Sequence, residues 1–333
     1  MTDRTDKTQI GDRMKAYEAP STSRKAFKGQ PLVVRLDGNN FHTFTKGLKR
    51  PYDEDLSELM VETTKALVER FHCDIAYTQS DEITLIFISE PEDKAELIFD
   101  GRFQKIETLT ASYASAVFNK LLPGYLPAKA HLLPCFDSRA YIVPNLQEAY
   151  HALLWRQQDA TKNAVSMGAQ ALYSQKQLNG KNGSQLRVMM IELGVDFDDY
   201  PYFFKRGTFV RRLLVERQLS AEELERIPEK HRPTGPVQRN EVVALDINLQ
   251  ELSNPASFLF KEKKHKENPN GRTFTYLGYE VEIHHNKDNP SHPFEYAIPS
   301  IQRLDPTSWA TRDGARQAAK DLIDYLVGDF IVV

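Results

Sequence analysis

The sequence predicts an α+β fold, in which helices cover an antiparallel sheet. Three observations support this prediction: short apolar strand-like runs, a helical pattern between the first two of them, and a tight acidic turn between the second and third. The chain has 333 residues, of which 41% are hydrophobic and 27% charged, as in an ordinary globular protein. Its length exceeds one average hydrophobic core, so more than one domain is expected.

The first half of the chain alternates strands and helices. Residues 32–36 form an apolar strand, and Asp53 is a good N-cap for a helix with Leu56, Leu59, Leu67 and Phe71 on one face. Two β-rich runs, 74–79 and 83–88, flank a predicted hairpin turn; a helix over 101–121 and a strand over 139–144 follow. The order β-α-β-β-α-β is the split βαβ arrangement of ferredoxin-like domains.

The second half is predicted in less detail. Residues 145–180 look helical, and 186–193 and 208–215 look like strands. A proline-rich and charged stretch, 226–235, indicates a boundary. Further strands are expected over 242–247 and 273–283, an exposed loop over 261–266 and an amphipathic helix over 315–327. We therefore expect three parts, over residues 1–145, 146–240 and 241–333, of which the last is an extension of unknown role.

Acidic residues stand at two places that the predicted topology brings together. Asp37 ends the first strand, and Asp81 and Glu82 occupy the hairpin turn. An Asp-Gly or Asp-Glu pair alone most often marks only a turn. Carboxylates at the ends of neighbouring strands, however, offer the hard oxygen ligands that Mg²⁺ prefers, as nucleotidyl transfer requires. Gly38 has no Cβ, so its backbone can approach a metal or phosphate closely.

Basic and small polar residues near these acids could hold a triphosphate. The loop after Asp37 could turn successive N–H groups inward as an anion nest, although it could also be a solvated loop. Arg102 and Lys105 share a face near a helix N-terminus, where cations are unfavourable unless an anion binds. His42 could contact a phosphate or a base, but a packing role beside Phe41 fits the sequence equally well. Candidate nucleotide-binding residues are Gly38, Asn39, Asn40, Phe41, His42, Arg50, Arg102 and Lys105, with Lys49 beside them; the family resemblance described below adds Asp53, Ser80 and Asp81.

RNA contacts have to come from local clusters, because the net charge of −3 excludes a polycation. Segments 155–157 and 205–208 mix cations with stacking or hydrogen-bonding groups, although buried structural roles fit them equally well. Candidate RNA-binding residues in these segments are Trp155, Arg156, Lys205 and Arg206, and the family resemblance described below adds Arg139 and Asn163. The two cysteines suggest a reducing compartment. The polar N-terminus and the lack of long apolar runs favour a cytoplasmic protein without a membrane partner.

Six short motifs resemble one family in order and spacing. They are RLDGNNFHTF (35–44), RPYD (50–53), YTQSDE (77–82), FDSR (136–139), WRQQD (155–159) and KRGT (205–208). Over about residues 10–240 the chain resembles the tRNA-His guanylyltransferase superfamily, and most closely its bacterial, archaeal and phage 3′-5′ polymerases. The last ninety or so residues have no such counterpart.

The resemblance implies a polymerase-palm-like domain that adds nucleotides in the 3′-to-5′ direction at a tRNA 5′ end. ATP or GTP would activate the 5′-phosphate, and an incoming nucleoside triphosphate would be joined to it. It further implies that Asp37, Asp81 and the Gly38 carbonyl hold two Mg²⁺ ions, that Glu82 supports the site, and that the enzyme is a homotetramer. The acceptor stem of tRNA and nucleoside triphosphates are the expected partners.

Two departures from the family pattern bear on the reaction. Asn39 stands where many members have arginine, so another cation, for which Lys49 is the candidate, has to contact the phosphates. Thr161 stands where eukaryotic members, which add one G to tRNA-His, have the histidine of a His-Ile-Asn-Asn-type motif. Templated 5′-end repair is therefore preferred over dedicated G addition, which stays the alternative. A nucleotidyl cyclase-like enzyme and a non-catalytic RNA-binding module are the rival classes.

Overall fold

The computed structural model describes residues 4–89, 96–233 and 235–252, and shorter pieces at 273–276, 279–285, 294–298, 303–304, 315, 317 and 319. The helices are α1 Arg4–Thr22, α2 Phe41–Phe44, α3 Glu54–Phe71, α4 Phe103–Tyr125, α5 Leu146–Leu172, α6 Gln175–Leu178, α7 Gly183–Glu192, α8 Tyr202–Arg206 and α9 Ala221–Glu225. The strands are β1 Leu32–Asn39, β2 Ile75–Gln79, β3 Glu82–Phe87, β4 Cys135–Ile142, β5 Thr208–Arg217, β6 Val237–Leu245, β7 Thr273–Tyr276, β8 Tyr279–His285, β9 Phe294–Ile298 and β10 Arg303–Leu304.

Six strands form one antiparallel sheet in the order β4-β1-β3-β2-β5-β6. The α+β class and the β-α-β-β-α-β order are confirmed. Because β2 and β3 are consecutive and pair with Gln79 opposite Glu82, they form the predicted hairpin. The central position of β1 between β3 and β4 places the end of β1 beside that hairpin turn.

Helices α3 and α4 pack on one face of this sheet. Asp53 caps α3 as predicted, since its carboxylate accepts the Leu56 N–H at 3.1 Å. Side chains three or four apart on α4, from Phe103 to Leu122, are buried in the same core as Val34 and Leu36 of β1. Alternation along a strand then sends Arg35 and Asp37 to the other face. One face of the sheet is therefore structural, and the other carries the polar groups.

The predicted strand over 186–193 is wrong. These residues belong to helix α7, which Asn182 begins with a capping box: its Oδ1 accepts the Gln185 N–H at 3.0 Å, and the Gln185 side chain accepts the Asn182 N–H at 2.9 Å. Only Leu186 and Met190 of this helix are buried, which is a four-residue spacing. The run of apolar residues concealed that helical period.

The chain divides into two compact units. One comprises Met1–Ile142 with Trp155–Ile247, and the other Val143–Leu154 with Asn248–Val333. Strands β7 to β10 form a separate antiparallel sheet in the order β10-β9-β8-β7. The loop expected over 261–266 lies outside the described residues, as does all of the helix expected over 315–327 except residues 315, 317 and 319. The expected division into three functional parts, after residues 145 and 240, is a different kind of division and stays a prediction.

Candidate active site

The end of β1 and the β2–β3 turn are joined by a backbone hydrogen bond. The Gly38 N–H donates to the Asp81 carbonyl at 3.0 Å, and Asp37 stands opposite Glu82 in the β1–β3 register. Residues 44 positions apart in sequence thus meet at one edge of the sheet. The predicted convergence of Asp37 and Asp81 is present.

Glycine at position 38 is required by packing. A Cβ built there would lie 2.4 Å from Cδ2 of the Phe41 ring, closer than real side chains approach. Phe41 is buried, and its ring centroid lies 5.0 to 5.5 Å from those of Phe44, Phe118 and Phe136. The aromatic core therefore presses directly on the backbone that follows Asp37.

The acids at this edge have an unfavourable environment for negative charge. The pKa of Asp81 is raised, first because burial removes water from its carboxyl group and then because of the charge of Asp37. Hydrogen bonds from the Asp81 backbone and from the Ser80 side chain oppose this shift. Ser80 has φ of 49°, a left-handed conformation that costs energy for a residue other than glycine. Such strain is typical of functional turns.

Glu82 is held by an arginine from helix α5. The Arg156 Nε lies 2.6 Å from Glu82 Oε1, and its Nη2 donates to Oε2 at 2.9 Å. Asp159 Oδ2 accepts from the same Nη2 at 2.8 Å. The pKa of Glu82 is raised by burial, and the charge of Arg156 opposes the increase. Glu82 is thus paired with a cation beside the edge where Asp37 and Asp81 meet.

A cavity of about 610 Å³ opens beside these acids. Many of the predicted site residues line it: Asp37, His42, Arg50, Asp53, Ser80, Asp81, Glu82, Arg156 and Asn163. Lys49, expected as a replacement phosphate cation, lines it too, as does Lys46. A volume of this size is typical of pockets for nucleotide-sized ligands.

Sequence reasoning missed the wall of the cavity farther from the acids. Tyr52 lies 5.0 Å from Phe204 and 5.4 Å from Phe203 between ring centroids, and Met167 and Gln170 of α5 complete this wall. The spacing of Arg156, Asn163, Met167 and Gln170 places one face of α5 towards the cavity. That three- and four-residue spacing was a usable signal in the sequence.

The loop after β1 contributes mainly backbone. Asn40 has φ of 58°, a conformation that asparagine tolerates, and begins the short helix α2. Gly38, Asn39, Asn40 and Phe41 do not line the cavity, and the Phe41 ring is in the core. Any contact of Phe41 with a nucleotide would therefore have to use its N–H or carbonyl group.

Arg102 and Lys105 are at the opposite end of α4 from the acids. Glu107 of the same helix accepts the Ala140 N–H, and Ala140 pairs with Val34, three residues before Asp37. Strand and helix rise put Arg102 about 17 Å from the acidic edge. Arg102 forms a β-bridge with Lys25 there. The structure does not bring this predicted pair to the cavity.

The predicted RNA-binding residues have different environments. Trp155 is 51% exposed, and Arg139 is exposed with its Nη2 3.1 Å from Asp137. Arg156, in contrast, is buried in its ion pair. The Arg206 carbonyl accepts from the Tyr77 hydroxyl at 2.7 Å and from Gln157 at 3.2 Å. Arg156 and the 206 backbone thus have structural roles here.

Comparison with known proteins identifies the family. Residues 11–144 match the model of the Thg1 family, described as tRNAHis guanylyltransferase. The tRNA(His) guanylyltransferase of Saccharomyces cerevisiae is 31% identical over 199 residues, which cover 54% of this chain and 82% of the yeast protein. The chain belongs to the tRNA(His) guanylyltransferase family.

Solved structures agree with this assignment. A bacterial tRNA(His) guanylyltransferase (Thg1)-like protein in complex with ATP is 39% identical, with a TM-score of 0.57, over 61% of this chain and 88% of that one. A bacterial Thg1-like protein in complex with GTP is 31% identical, also with a TM-score of 0.57, over 72% and 92%. Membership of the tRNA(His) guanylyltransferase family makes this chain a nucleotidyltransferase.

Thr161, the position expected to depart from eukaryotic tRNA(His) guanylyltransferases, has a structural role. The Thr161 hydroxyl lies 2.9 Å from the Lys205 carbonyl and 3.1 Å from the Gln157 carbonyl, and can donate to either. A residue of this size therefore links α5 to the segment before β5.

Among the helices that the structure describes, none has the length and apolarity to cross a bilayer.

Proposed function

We propose that the chain is a Mg²⁺-dependent nucleotidyltransferase that adds nucleotides in the 3′-to-5′ direction to the 5′ end of tRNA. The preferred reaction is templated repair of the 5′ end. One observation supports it above all: Asp37 and Asp81 meet at one edge of the sheet beside a cavity of nucleotide size. Templated repair further requires that the opposing strand of the acceptor stem select each added base.

The residues present fit Mg²⁺. Burial and the charge of Asp37 raise the pKa of Asp81, so this edge disfavours two ionised carboxylates without a cation. Within the described part of the chain, no set of three or more histidine, cysteine, aspartate or glutamate residues is arranged as a metal site. As the family resemblance implies, the ligands would be Asp37, Asp81 and the Gly38 carbonyl, with substrate phosphates and waters completing each shell. Two bound Mg²⁺ ions would supply charge stabilisation to the attacking and leaving oxygens.

The remaining groups position the substrates. In the first step, an oxygen of the tRNA 5′-phosphate attacks the α-phosphorus of ATP or GTP and pyrophosphate leaves. In the second, the 3′-hydroxyl of a nucleoside triphosphate attacks that 5′-phosphate, and the activating nucleoside monophosphate leaves. Lys46, Lys49 and Arg50 line the cavity and would bind phosphates, while the aromatic wall would pack against a base. Glu82 would hold the turn through Arg156.

Three further predictions accompany this function. Residues 1–145 would form the polymerase-palm-like catalytic domain, residues 146–240 would complete the core, and residues 241–333 would have a separate, unassigned role. The enzyme would be a cytoplasmic homotetramer. Light scattering of the purified protein and fractionation of the producing cell would test the last two statements.

Addition of a single G to tRNA-His is the second candidate, because the curated yeast relative carries that name. The Thr161 side chain favours repair, since the eukaryotic histidine is absent. The two candidates predict different products from one assay.

The test uses tRNA transcripts that lack their first nucleotide, supplied with ATP and all four nucleoside triphosphates. Addition that follows the opposing acceptor base means repair, and G addition whatever that base means the second candidate. Asp81→Asn should abolish either product, whereas Asp12→Asn, an exposed position on α1, should not. A cyclic product from ATP or GTP without RNA would replace the proposal by a cyclase. No product from any substrate would contradict all three enzymatic assignments.

The metal site has a test that does not depend on turnover. Mg²⁺ or Mn²⁺ should raise the melting temperature of the wild-type protein by binding only its folded form. Asp81→Asn should remove that increase, and Asp12→Asn should keep it. An equal increase for all three proteins would contradict the proposed ligands.

A further inference from the structure

The polar face of the sheet carries two arginines in direct register. Arg35 of β1 pairs with Arg139 of β4, and both point away from the core that contains Val34 and Ala140. Like charges directly opposite each other on one face destabilise a sheet. Asp137, two residues along β4, forms an exposed ion pair with Arg139, and Glu82 acts on Arg35 through its charge, although Arg156 already neutralises Glu82. The two guanidinium groups together therefore favour binding of an anion from solvent.

An exposed tryptophan stands beside this arginine pair. The Trp155 ring is half exposed, and the guanidinium carbon of Arg35 lies 5.5 Å from its centroid. Arg156 lies at 4.3 Å but is occupied by Glu82 and Asp159. A large aromatic surface open to water next to cations is the arrangement that stacks nucleic acid bases. Tyr141, half-buried on the same face of β4, adds a second ring.

The distance to the acids is that of one nucleotide step. Arg35 precedes Asp37 by two residues on one strand, which is about 6.6 Å. A phosphate beside Arg35 and a phosphate beside Asp37 could therefore belong to neighbouring nucleotides of one strand. The polar face leads directly to the edge where the acids meet.

We propose that Arg35, Arg139, Tyr141 and Trp155 form a platform that binds the first nucleotides of the RNA strand being extended. A base stacks on Trp155, and the phosphodiester that follows it lies between Arg35 and Arg139. The platform thereby holds the strand so that its 5′-phosphate reaches Asp37 and Asp81. This inference rests on the proposed function, and it assigns the RNA-facing surface of that site.

Fluorescence of Trp155 tests the stacking contact directly. The chain has two tryptophans, at positions 155 and 309, so a Trp309→Phe protein emits from Trp155 alone. A short 5′-phosphorylated single-stranded RNA should quench this emission with saturation, since a stacked base contacts the ring. Unchanged emission, while filter binding shows the RNA bound, would overturn the platform.

Substitutions separate stacking from folding. Trp155→Phe keeps an aromatic surface, whereas Trp155→Leu keeps bulk without it. We expect Trp155→Leu to raise the KM for RNA at least about fivefold with kcat changed less, and Trp155→Phe to recover most of the loss. Phe27→Leu, at another exposed aromatic position, is the control and should leave KM unchanged. Equal KM for all four proteins would overturn the proposal.

Salt dependence tests the phosphate contact. Arg139→Gln should reduce the slope of log affinity for RNA against log salt concentration by about 1. Arg70→Gln, an exposed arginine at the C-terminal end of α3, should leave the slope unchanged. Equal slopes for the two variants would contradict a phosphate at Arg139. A change of oligomeric mass on Trp155→Leu would instead identify this face as a contact between copies.

Failure of the platform and failure of the proposed function give different results. If the wild-type protein adds nucleotides to tRNA and the platform variants match it, only the platform is wrong. If the wild-type protein adds nothing but RNA still quenches Trp155, the platform stands and the reaction is wrong.

Discussion

The Asp81 carboxyl is placed where its charge costs stability. Its pKa is raised by burial and by Asp37, so the folded chain holds the proton more tightly than the unfolded chain does. The cost is therefore absent below about pH 4, where both states are protonated, and it develops as the pH rises. Stability is exchanged here for function, as is common at active sites.

Asp81→Asn should consequently raise the melting temperature at pH 7 while abolishing nucleotide addition. Calorimetry in EDTA measures the effect without bound metal, and the difference from wild type should disappear towards pH 4. A variant that is less stable than wild type at pH 7 would show that the Asp81 carboxylate is stabilised rather than strained.

Gly38 is sensitive to the smallest possible side chain. Gly38→Ala puts a methyl group into the Phe41 ring, so the ring or the strand has to move. We expect a loss of about 1–3 kcal/mol in the free energy of unfolding, as for other overpacked cores. Urea denaturation measures it, and Gly47→Ala is a poor control because its φ of 83° adds strain. Gly183→Ala, with open space at its Cβ, is the matched control.

Residue-level prediction succeeded where strand pairing or a helix cap determines the position. Asp37 and Asp81 meet because antiparallel pairing brings the end of β1 to the β2–β3 turn, and Asp53 caps α3; their catalytic roles stay predictions. Arg102 and Lys105 were assigned to the same site from helix position alone, and the direction of α4 puts them at its other end. Charge pattern alone does not give the end of the sheet at which a helix begins.

At the level of elements, one ion pair joins strand β3 to helix α5. The side chains of Arg156 and Glu82 are 7% and 12% exposed, so neither charge can be rehydrated easily if the other is removed. Arg156→Met should therefore cost about 3–5 kcal/mol in the free energy of unfolding. Glu82→Leu combined with Arg156→Met should recover part of that loss, because it removes both charges. Denaturant titration of the single and double variants measures the coupling, and strictly additive losses would contradict it.

Element prediction depended on how clearly each period shows in the sequence. Strands β1 to β3 are short apolar runs buried at most positions, and helices α3 and α4 bury side chains three or four residues apart; all of these elements were predicted. Helix α7 was missed because Val188, Met189 and Ile191 are apolar on faces that the fold leaves partly open to water. The Asn182 and Gln185 pair is a helix-start signal that outweighs β-propensity at this position.

At the level of the whole molecule, the two compact units should be separable by denaturation. Trp155 belongs to the unit with the six-stranded sheet, and position 309 falls in the other. Single-tryptophan variants, Trp309→Phe and Trp155→Phe, therefore report on one unit each. We expect their urea transitions to differ in midpoint, since chains with separate units often unfold in more than one step. Coincident transitions would mean that the chain unfolds as one cooperative body.

The overall architecture was predictable where the order of strands and helices along the chain determines how the strands pair. Four strands and two helices in the observed order permit few antiparallel sheets, and connection rules select among them. The addition of β5 and β6 to the same sheet was not predictable, because it pairs β2 with a strand about 130 residues away. The cavity wall from Tyr52, Phe203 and Phe204 depends on that distant pairing.

The contact between the Phe41 ring and Gly38 has an evolutionary consequence. The rings of Phe44, Phe118 and Phe136 each contact the Phe41 ring, so a change in any of them should shift the ring that supports the acidic loop. Natural selection should then act on these positions through catalytic activity as strongly as through stability. Substitutions among these buried rings should therefore occur as compensating pairs. Loss of one ring alone should abolish catalytic activity while the chain still folds.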